Sequence, residues 1–313
     1  MKLINKVSIG LIGCGRWGKH ILRDLLSLGC DVAVIARSDQ DRNYALEQGA
    51  FFSTNTLSGL PPVDGAVVAT PTITHADVVQ ELLGRTIPIF VEKPLAPDPV
   101  QAESLCQAAG DRLFVMDKWR YHPGIEMLAE IARSEELGPI EGLKTKRLQW
   151  GNTHSDVDGV WILAPHDLSI ALEILGDIPA ARCAVAELMG DDFIGLSAIL
   201  GEAPWFHMEV SVCHRQWQRE IWLHAIDGIA LLDDGYSENL QIMRKDKHGH
   251  AVGEPQLRPI SKELPLRREL SAFVEFLRGG PPPRSSAADG LKIVKTIAQL
   301  RQMSDRRSLV KSS

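Results

Sequence analysis

The chain has 313 residues, 44% of them hydrophobic and 24% charged, with 34 lysines and arginines against 40 acidic side chains. That is enough apolar material for two domain cores at the usual ~100–200 residues each, and a net charge of −6 lacks the basic footprint of a nucleic-acid binder. Cys14, Cys30, Cys106, Cys183 and Cys213 form no CxxC pair and no staple pattern, which argues against a disulfide framework or a clustered zinc site, so no metal is expected.

Met1–Lys6 carries no apolar leader core, and no apolar run approaches the ~20 residues of a membrane span. A cytoplasmic protein without a membrane partner is expected. Val7–Ile12 reads as a buried strand, a glycine cluster follows, and Trp17–Leu28 is amphipathic. Asp31–Ala36 is a second strand, and Ser38 is placed to cap a helix running to Gln48. Strands at Gly65–Ala69, Ile87–Val91 and Leu113–Met116 then alternate with helices at Ala76–Leu83 and Val100–Ala109. Near-continuous apolar strands between helices predict a doubly wound parallel sheet covered on both faces.

The pattern changes after Tyr121. A helix over Ile125–Arg133 ends before Gly138-Pro139. Longer alternating strands follow at Glu141–Gln149, Ala181–Leu188, Phe193–Leu200, Trp205–His214 and Ile221–Ile226, interrupted by one helix near His166–Leu175. This predicts a large, open, mostly antiparallel sheet with one face covered. Lys245–Pro259 reads as a polar surface excursion, and helices at Arg267–Leu277 and Ala287–Gln302 close the chain.

Gly13-Cys14-Gly15-Arg16-Trp17-Gly18 is G-x-G-x-x-G between a strand and a helix, the context that gives this motif meaning. The first glycine permits the tight turn, the second lets backbone approach a pyrophosphate, and the third lets helix and strand pack closely. The helix N-terminus adds free N–H groups and the positive end of its dipole. A nicotinamide dinucleotide on a Rossmann domain is therefore expected. Where an NAD enzyme places Asp or Glu, the chain reads Ile35-Ala36-Arg37-Ser38. A cation and a hydroxyl there suit the 2′-phosphate of NADP. NAD is the alternative, with Arg37 on the adenine and Asp39 or Asp41 at the ribose.

Further motifs follow the strands: Ala69-Thr70-Pro71 with His75, Glu92-Lys93-Pro94, and Arg120-Tyr121-His122-Pro123. Pro165-His166-Asp167-Leu168 stands where the second-domain helix is expected to open. Together these resemble the glucose–fructose oxidoreductase / inositol dehydrogenase / MocA (Gfo/Idh/MocA) family over essentially the whole chain. The resemblance implies an α/β protein with a Rossmann domain over residues 1–121. An α+β domain for substrate binding and oligomerisation would follow over 122–313. It implies hydride transfer between NADP(H), or NAD(H), and a secondary alcohol or ketone of a sugar, cyclitol or nucleotide-linked sugar. It further implies Lys93 and His166 as catalytic residues, and Thr70, Pro71, His75 and Glu92 along the cofactor cleft. Lys118, Arg120, Tyr121, Trp161 and Asp167 would stand with His166 on the substrate side. The alternative is a regulator of the same fold that binds dinucleotide without turnover.

The residues themselves agree. Lys93 follows the carboxyl end of a parallel strand, where open α/β sheets bind ligands. A lysine desolvated beside a cationic nicotinamide loses its proton more easily, as a general base must. One departure stands out: the family's Asp-x-x-x-His is Ile162 followed by His166 here, with Asp156, Asp158 and Asp167 as candidate substitutes. Lys118 and Arg120 would suit an anionic substrate. Trp150, Trp161 and Tyr121 offer stacking surfaces. Trp205, Met208, Val210 and Val212, or their neighbours, are expected on an open sheet face that closes a homodimer or homotetramer.

Overall fold

The computed structural model describes residues 6–152 and 156–304, so the expectation for Met1–Lys6 lies, Lys6 apart, outside the described residues. The chain divides into two compact units. One holds the residues up to Lys118 together with Leu264–Val294, the other Trp119–Glu263 with the segment from Lys295.

The first unit is built from β1 (Ser8–Ile12), α1 (Arg16–Ser27), β2 (Asp31–Ile35), α2 (Asp39–Glu47), β3 (Phe52–Thr54), β4 (Gly65–Val68), α3 (His75–Leu83), β5 (Ile89–Glu92), α4 (Pro99–Ala109) and β6 (Leu113–Met116). The strands form one sheet in the order β3-β2-β1-β4-β5-β6, with every pair parallel. β4 is buried at every position, as a central strand of a doubly covered sheet must be, and so is the edge strand β6. The order reverses direction between β1 and β4, the point where such sheets open to a ligand. The sequence reading missed β3, a three-residue edge strand without a buried position.

The second unit holds α5 (Pro123–Ser134), β7 (Ile140–Trp150), α6 (Gly159–Leu175), β8 (Ala181–Met189), β9 (Asp192–Leu200), β10 (Trp205–Ser211), β11 (Cys213–Ala225), β12 (Gly228–Leu232), β13 (Asn239–Lys245) and β14 (Ala251–Pro259). Its sheet runs β14-β13-β12-β11-β7-β10-β9-β8, antiparallel except for the β7–β10 pair. The single strand expected over Trp205–His214 is in fact two, β10 and β11, which lie on opposite sides of β7. No glycine or proline marks the break at Val212. The polar excursion after Lys245 is a turn followed by β14, an exposed edge strand carrying Pro255 and Pro259.

Two further expectations are corrected. α6 does not open at Pro165: it begins at Gly159, where Asp158 accepts hydrogen bonds from the N–H groups of Val160 and Trp161. Pro165 lies inside the helix, and the burial of α6 on nearly every side outweighs its missing N–H. Met208, Val210 and Val212 are not on the open face. They are buried with Phe206 on the side covered by α6, while Trp205, His207 and Glu209 alternate onto the other side.

The chain closes with α7 (Pro265–Leu277) and α8 (Ala287–Ser304). α7 returns to the first unit, where Leu266, Leu270, Phe273 and Val274 join the core and Phe273 packs on Phe90 with ring centroids 5.0 Å apart. A single cut at residue 121 therefore does not describe the chain. The apolar stripe of α7 shows which face is buried but carries no signal for which sheet receives it. No helix among the described residues is long and apolar enough to cross a membrane.

Candidate active site

The turn after β1 has the geometry its glycines predict. Gly13 has φ +99°, and a Cβ there would lie 2.4 Å from the Ala69 carbonyl oxygen. A Cβ on Gly18 would lie 2.2 Å from the Gly13 oxygen, so α1 sits directly against the turn. A Cβ on Gly15 would meet nothing within 4 Å: this glycine faces open space, as backbone that must admit a pyrophosphate should. Gly15 is the N-cap of α1, no side chain caps the helix, and its first turn holds no acid. The N–H groups of Arg16 and Trp17 are thus available to an anion. The residues present fit a dinucleotide. The Cys14 thiol is buried, and desolvation pushes it up to about 11, so it contributes backbone rather than reactive sulfur.

At the end of β2, Ala36 is buried and Arg37 and Ser38 are exposed. The Ser38 hydroxyl caps α2 by accepting from Asp41 N–H and donates to the Asp41 carboxylate. Asp41 also pairs with Lys19 at 2.8 Å, and Asp39 pairs with Arg42. Both acids that might have reached a ribose are therefore engaged, whereas the Arg37 guanidinium has no partner among the described residues.

The loops after β4 and β5 are tied together by His75, fully buried at the start of α3. Its Nδ1 lies 2.9 Å from the Pro94 oxygen and its Nε2 2.9 Å from the Thr70 oxygen. Thr74 Oγ1 donates to the Pro71 carbonyl at 2.7 Å and lies 2.9 Å from Thr70 Oγ1. His75 thus braces the loops carrying Thr70, Pro71 and Lys93, with its ring turned into the unit. Glu92 ends β5 and is partly buried; Trp17 Nε1 donates to its Oε1, and Lys93 N–H donates to its Oε2 at 3.1 Å. Burial raises the Glu92 pKa, opposed by Lys93 and by the Trp17 hydrogen bond. Lys118 Nζ lies 4.5 Å from the Trp17 ring centroid, so it too belongs to this cluster.

The second unit places His166 on α6, where it alone between Gly159 and Leu172 escapes full burial. Ile162, one turn earlier, is buried. Asp158 is the α6 cap and pairs with Arg301, and Asp167 is buried against Arg147 at 2.6 Å, so two of the three offered substitutes for the missing acid are structurally engaged. Arg120 pairs with Glu173 at 3.1 Å, both mostly buried. Tyr121 and Trp161 are buried, while Trp150 is exposed. The sequence reading missed Trp119. Its ring takes the Arg147 guanidinium at 4.4 Å, stacks on His122 at 5.1 Å, and meets the His166 ring edge-on at 6.4 Å. It also missed Arg147, a charge at an inward strand position, and Glu269, an acid in the apolar stripe of α7.

Residues 7–115 match the model of the Gfo/Idh/MocA family, an oxidoreductase family with an NAD-binding Rossmann fold. The inositol 2-dehydrogenase of Rhizobium meliloti (strain 1021) is 23% identical, over 95% of this chain and 99% of that one. Among solved structures, the UDP-N-acetylglucosamine 3-dehydrogenase GnnA from Acidithiobacillus ferrooxidans shares the fold with a TM-score of 0.82, at 21% identity over 95% and 97% of the two chains. KijD10, a 3-ketoreductase from Actinomadura kijaniata in complex with TDP-benzene and NADP, gives a TM-score of 0.82 at 20% identity over 96% and 98%. Over residues 7–115 the chain therefore matches the NAD-binding Rossmann fold of the Gfo/Idh/MocA oxidoreductase family, and over nearly its whole length it is similar to an inositol 2-dehydrogenase.

Proposed function

We propose that this oxidoreductase acts on a secondary alcohol or ketone of a sugar or cyclitol, with NADP(H) as its preferred hydride carrier. The observation that carries the reading is the carboxyl end of the six-stranded sheet, where an open Gly15, an uncapped α1 and Lys93 after β5 converge. Gly13, Gly15, Gly18 and the first N–H groups of α1 would hold the pyrophosphate, and Arg37 the adenosine 2′-phosphate. The loops of Thr70-Pro71 and Glu92-Lys93 would flank the nicotinamide, which supplies the hydride acceptor when bound. Lys93 takes the hydroxyl proton of the substrate, and His166 binds and orients that hydroxyl. An anionic substrate is no longer favoured: Lys118 and Arg120, the cations that suggested one, each face side chains of their own unit.

The cofactor choice is tested by affinity. NADPH should bind more tightly than NADH, and Arg37→Ala should shrink the ratio roughly 10-fold or more, since one charge-assisted phosphate contact is worth ~1.5–3 kcal/mol. Equal affinities in the parent protein would contradict the assignment.

The open face of the second-unit sheet supports assembly. Trp205 covers Gly142 so closely that a Cβ there would lie 2.2 Å from its ring. His224 follows at 5.1 Å from Trp205, and Trp222 stacks on His224 at 6.4 Å. With Ile199 and Val185 exposed on neighbouring strands, this is a broad apolar strip that a second copy would cover. Light scattering at micromolar concentration should return a dimer or tetramer mass; a monomer would refute this assignment of the face.

A further inference from the structure

The second unit sets two arginines directly opposite each other. In the antiparallel register of β11 on β7, Arg219 is the partner of Arg147, so both lie on the face that α6 covers. Like charges opposite one another on paired strands are destabilising. One acid does not serve both. Asp167 Oδ2 accepts from Arg147 Nε, while its Oδ1 has no hydrogen-bond partner among the described residues. Arg219 forms no ion pair among the described residues. Asp234 faces it, but Asp234 Oδ1 accepts from the Tyr236 N–H at 2.8 Å. Burial and the Arg147 charge pull the Arg219 pKa below the usual arginine value, opposed by Tyr236 and Asp234.

What holds Arg219 is aromatic. Its guanidinium lies 4.0 Å from the Trp217 ring centroid and 6.0 Å from that of Tyr236, and both rings are exposed. A cation on a ring face is held without engaging its N–H donors. Trp217 stands where β11 leaves the register of β7, between Cys213 and Gln218, and such bulges re-aim side chains beside active sites. Tyr236 stands on a turn that is tied down: His122 Nε2 donates to the Gly235 carbonyl at 2.8 Å, and the Ser237 N–H donates to the Asp234 carbonyl at 3.0 Å. A Cβ on Gly235 would lie 2.5 Å from the Trp119 ring, so this turn sits directly against the residue that meets His166 edge-on. Trp119 also carries Arg147 on its face, the strand neighbour of Arg219. A group appended to a sugar held at His166 thus lies on the same side of the sheet as Arg219.

We propose that Arg219 is the anion-binding residue of the substrate side, taking a carboxylate or phosphate appended to the sugar whose reacting hydroxyl His166 orients. The inference rests on the role proposed above for His166. It gives the substrate a charge for which Lys118 and Arg120, turned to neighbours of their own, supplied no ground. Trp217 and Tyr236 fix the plane of the guanidinium and leave its fork of donors open, the arrangement that holds an oxyanion bidentately. A bound anion also supplies the negative charge that two facing arginines with one acid lack. An arginine kept opposite another at a cost in stability is the trade that binding sites make.

The test is calorimetric titration of the full chain with glucose, glucuronate and UDP-glucose. At least one of the two anionic probes should bind roughly 10-fold or more tightly than glucose, the weight of a charge-assisted contact. Which of them binds tighter tells a ring carboxylate from a nucleotide-linked phosphate. Arg219→Met keeps the stem against Trp217 and removes the charge, so it should erase the preference and leave glucose binding nearly unchanged. Arg219→Lys keeps the charge without the fork and should retain part of the preference. The urea midpoint of Arg219→Met should equal or exceed that of the parent, because a facing like charge has gone. No anionic probe preferred over glucose, a preference that survives in Arg219→Met, or a lowered midpoint marking Arg219 as a structural residue would overturn the proposal. Should no alcohol be turned over at all, the catalytic reading fails while these titrations still decide the role of Arg219.

Discussion

Lys93→Met should lower turnover by ~10²–10⁴, the usual weight of general acid–base catalysis, while NADPH binding stays nearly intact. Methionine keeps the length of the stem and removes only the amine. The position is set by the parallel sheet: β5 ends at Glu92, and the next residue emerges where the sheet opens to ligands. The Thr70 and Pro94 carbonyls on His75 hold the loops to either side. Single-turnover kinetics with saturating cofactor would separate the chemical step from binding. A Lys93→Met variant with the parent rate would remove Lys93 from the mechanism.

The second large effect is on stability. Arg147 Nε donates to Asp167 Oδ2 at 2.6 Å, with side chains only 2% and 1% exposed, so this pair joins β7 to α6 in the dry interior of the second unit. Burial raises the Asp167 pKa and Arg147 opposes it, which makes the carboxylate dependent on its partner. Arg147→Met alone would strand a buried carboxylate and should cost ~3–5 kcal/mol. Arg147→Met/Asp167→Leu removes both charges and should recover most of that loss, because apolar replacements of buried pairs are often neutral or better. Urea unfolding of the three proteins measures it. A single-variant cost below ~1 kcal/mol, typical of exposed pairs, would mean that the pair is not dry.

What could be read from the sequence follows physical range. The roles of Gly13, Gly15 and Gly18 were legible because a tight turn between a strand and a helix is a local event. The parallel sheet was legible because its strands are apolar without alternation. Glu269 and Arg147 were not, since burial of a charge depends on partners brought from distant segments: Glu92 and Asp117 for one, Asp167 and Trp119 for the other. The face carrying Met208 and Val210 was misassigned because alternation defines two faces without saying which a helix will cover. The start of α6 was misplaced because Pro165 looks like a helix opening, and only the hydrogen bonds of Asp158 show otherwise. The return of α7 to the first unit left no local trace.

The most direct measurement is the growth of reduced-nicotinamide absorbance when the protein, with NADP+ or NAD+, meets a panel of cyclitols, free sugars and nucleotide-linked sugars. At least one member of the panel should be oxidised, faster with NADP+ than with NAD+, and the signal should collapse in Lys93→Met. If NADPH binds tightly and a sugar alters that affinity, yet no alcohol in the panel and no ketone in the reverse direction is turned over, the chain is a dinucleotide-binding sensor and the catalytic account is wrong.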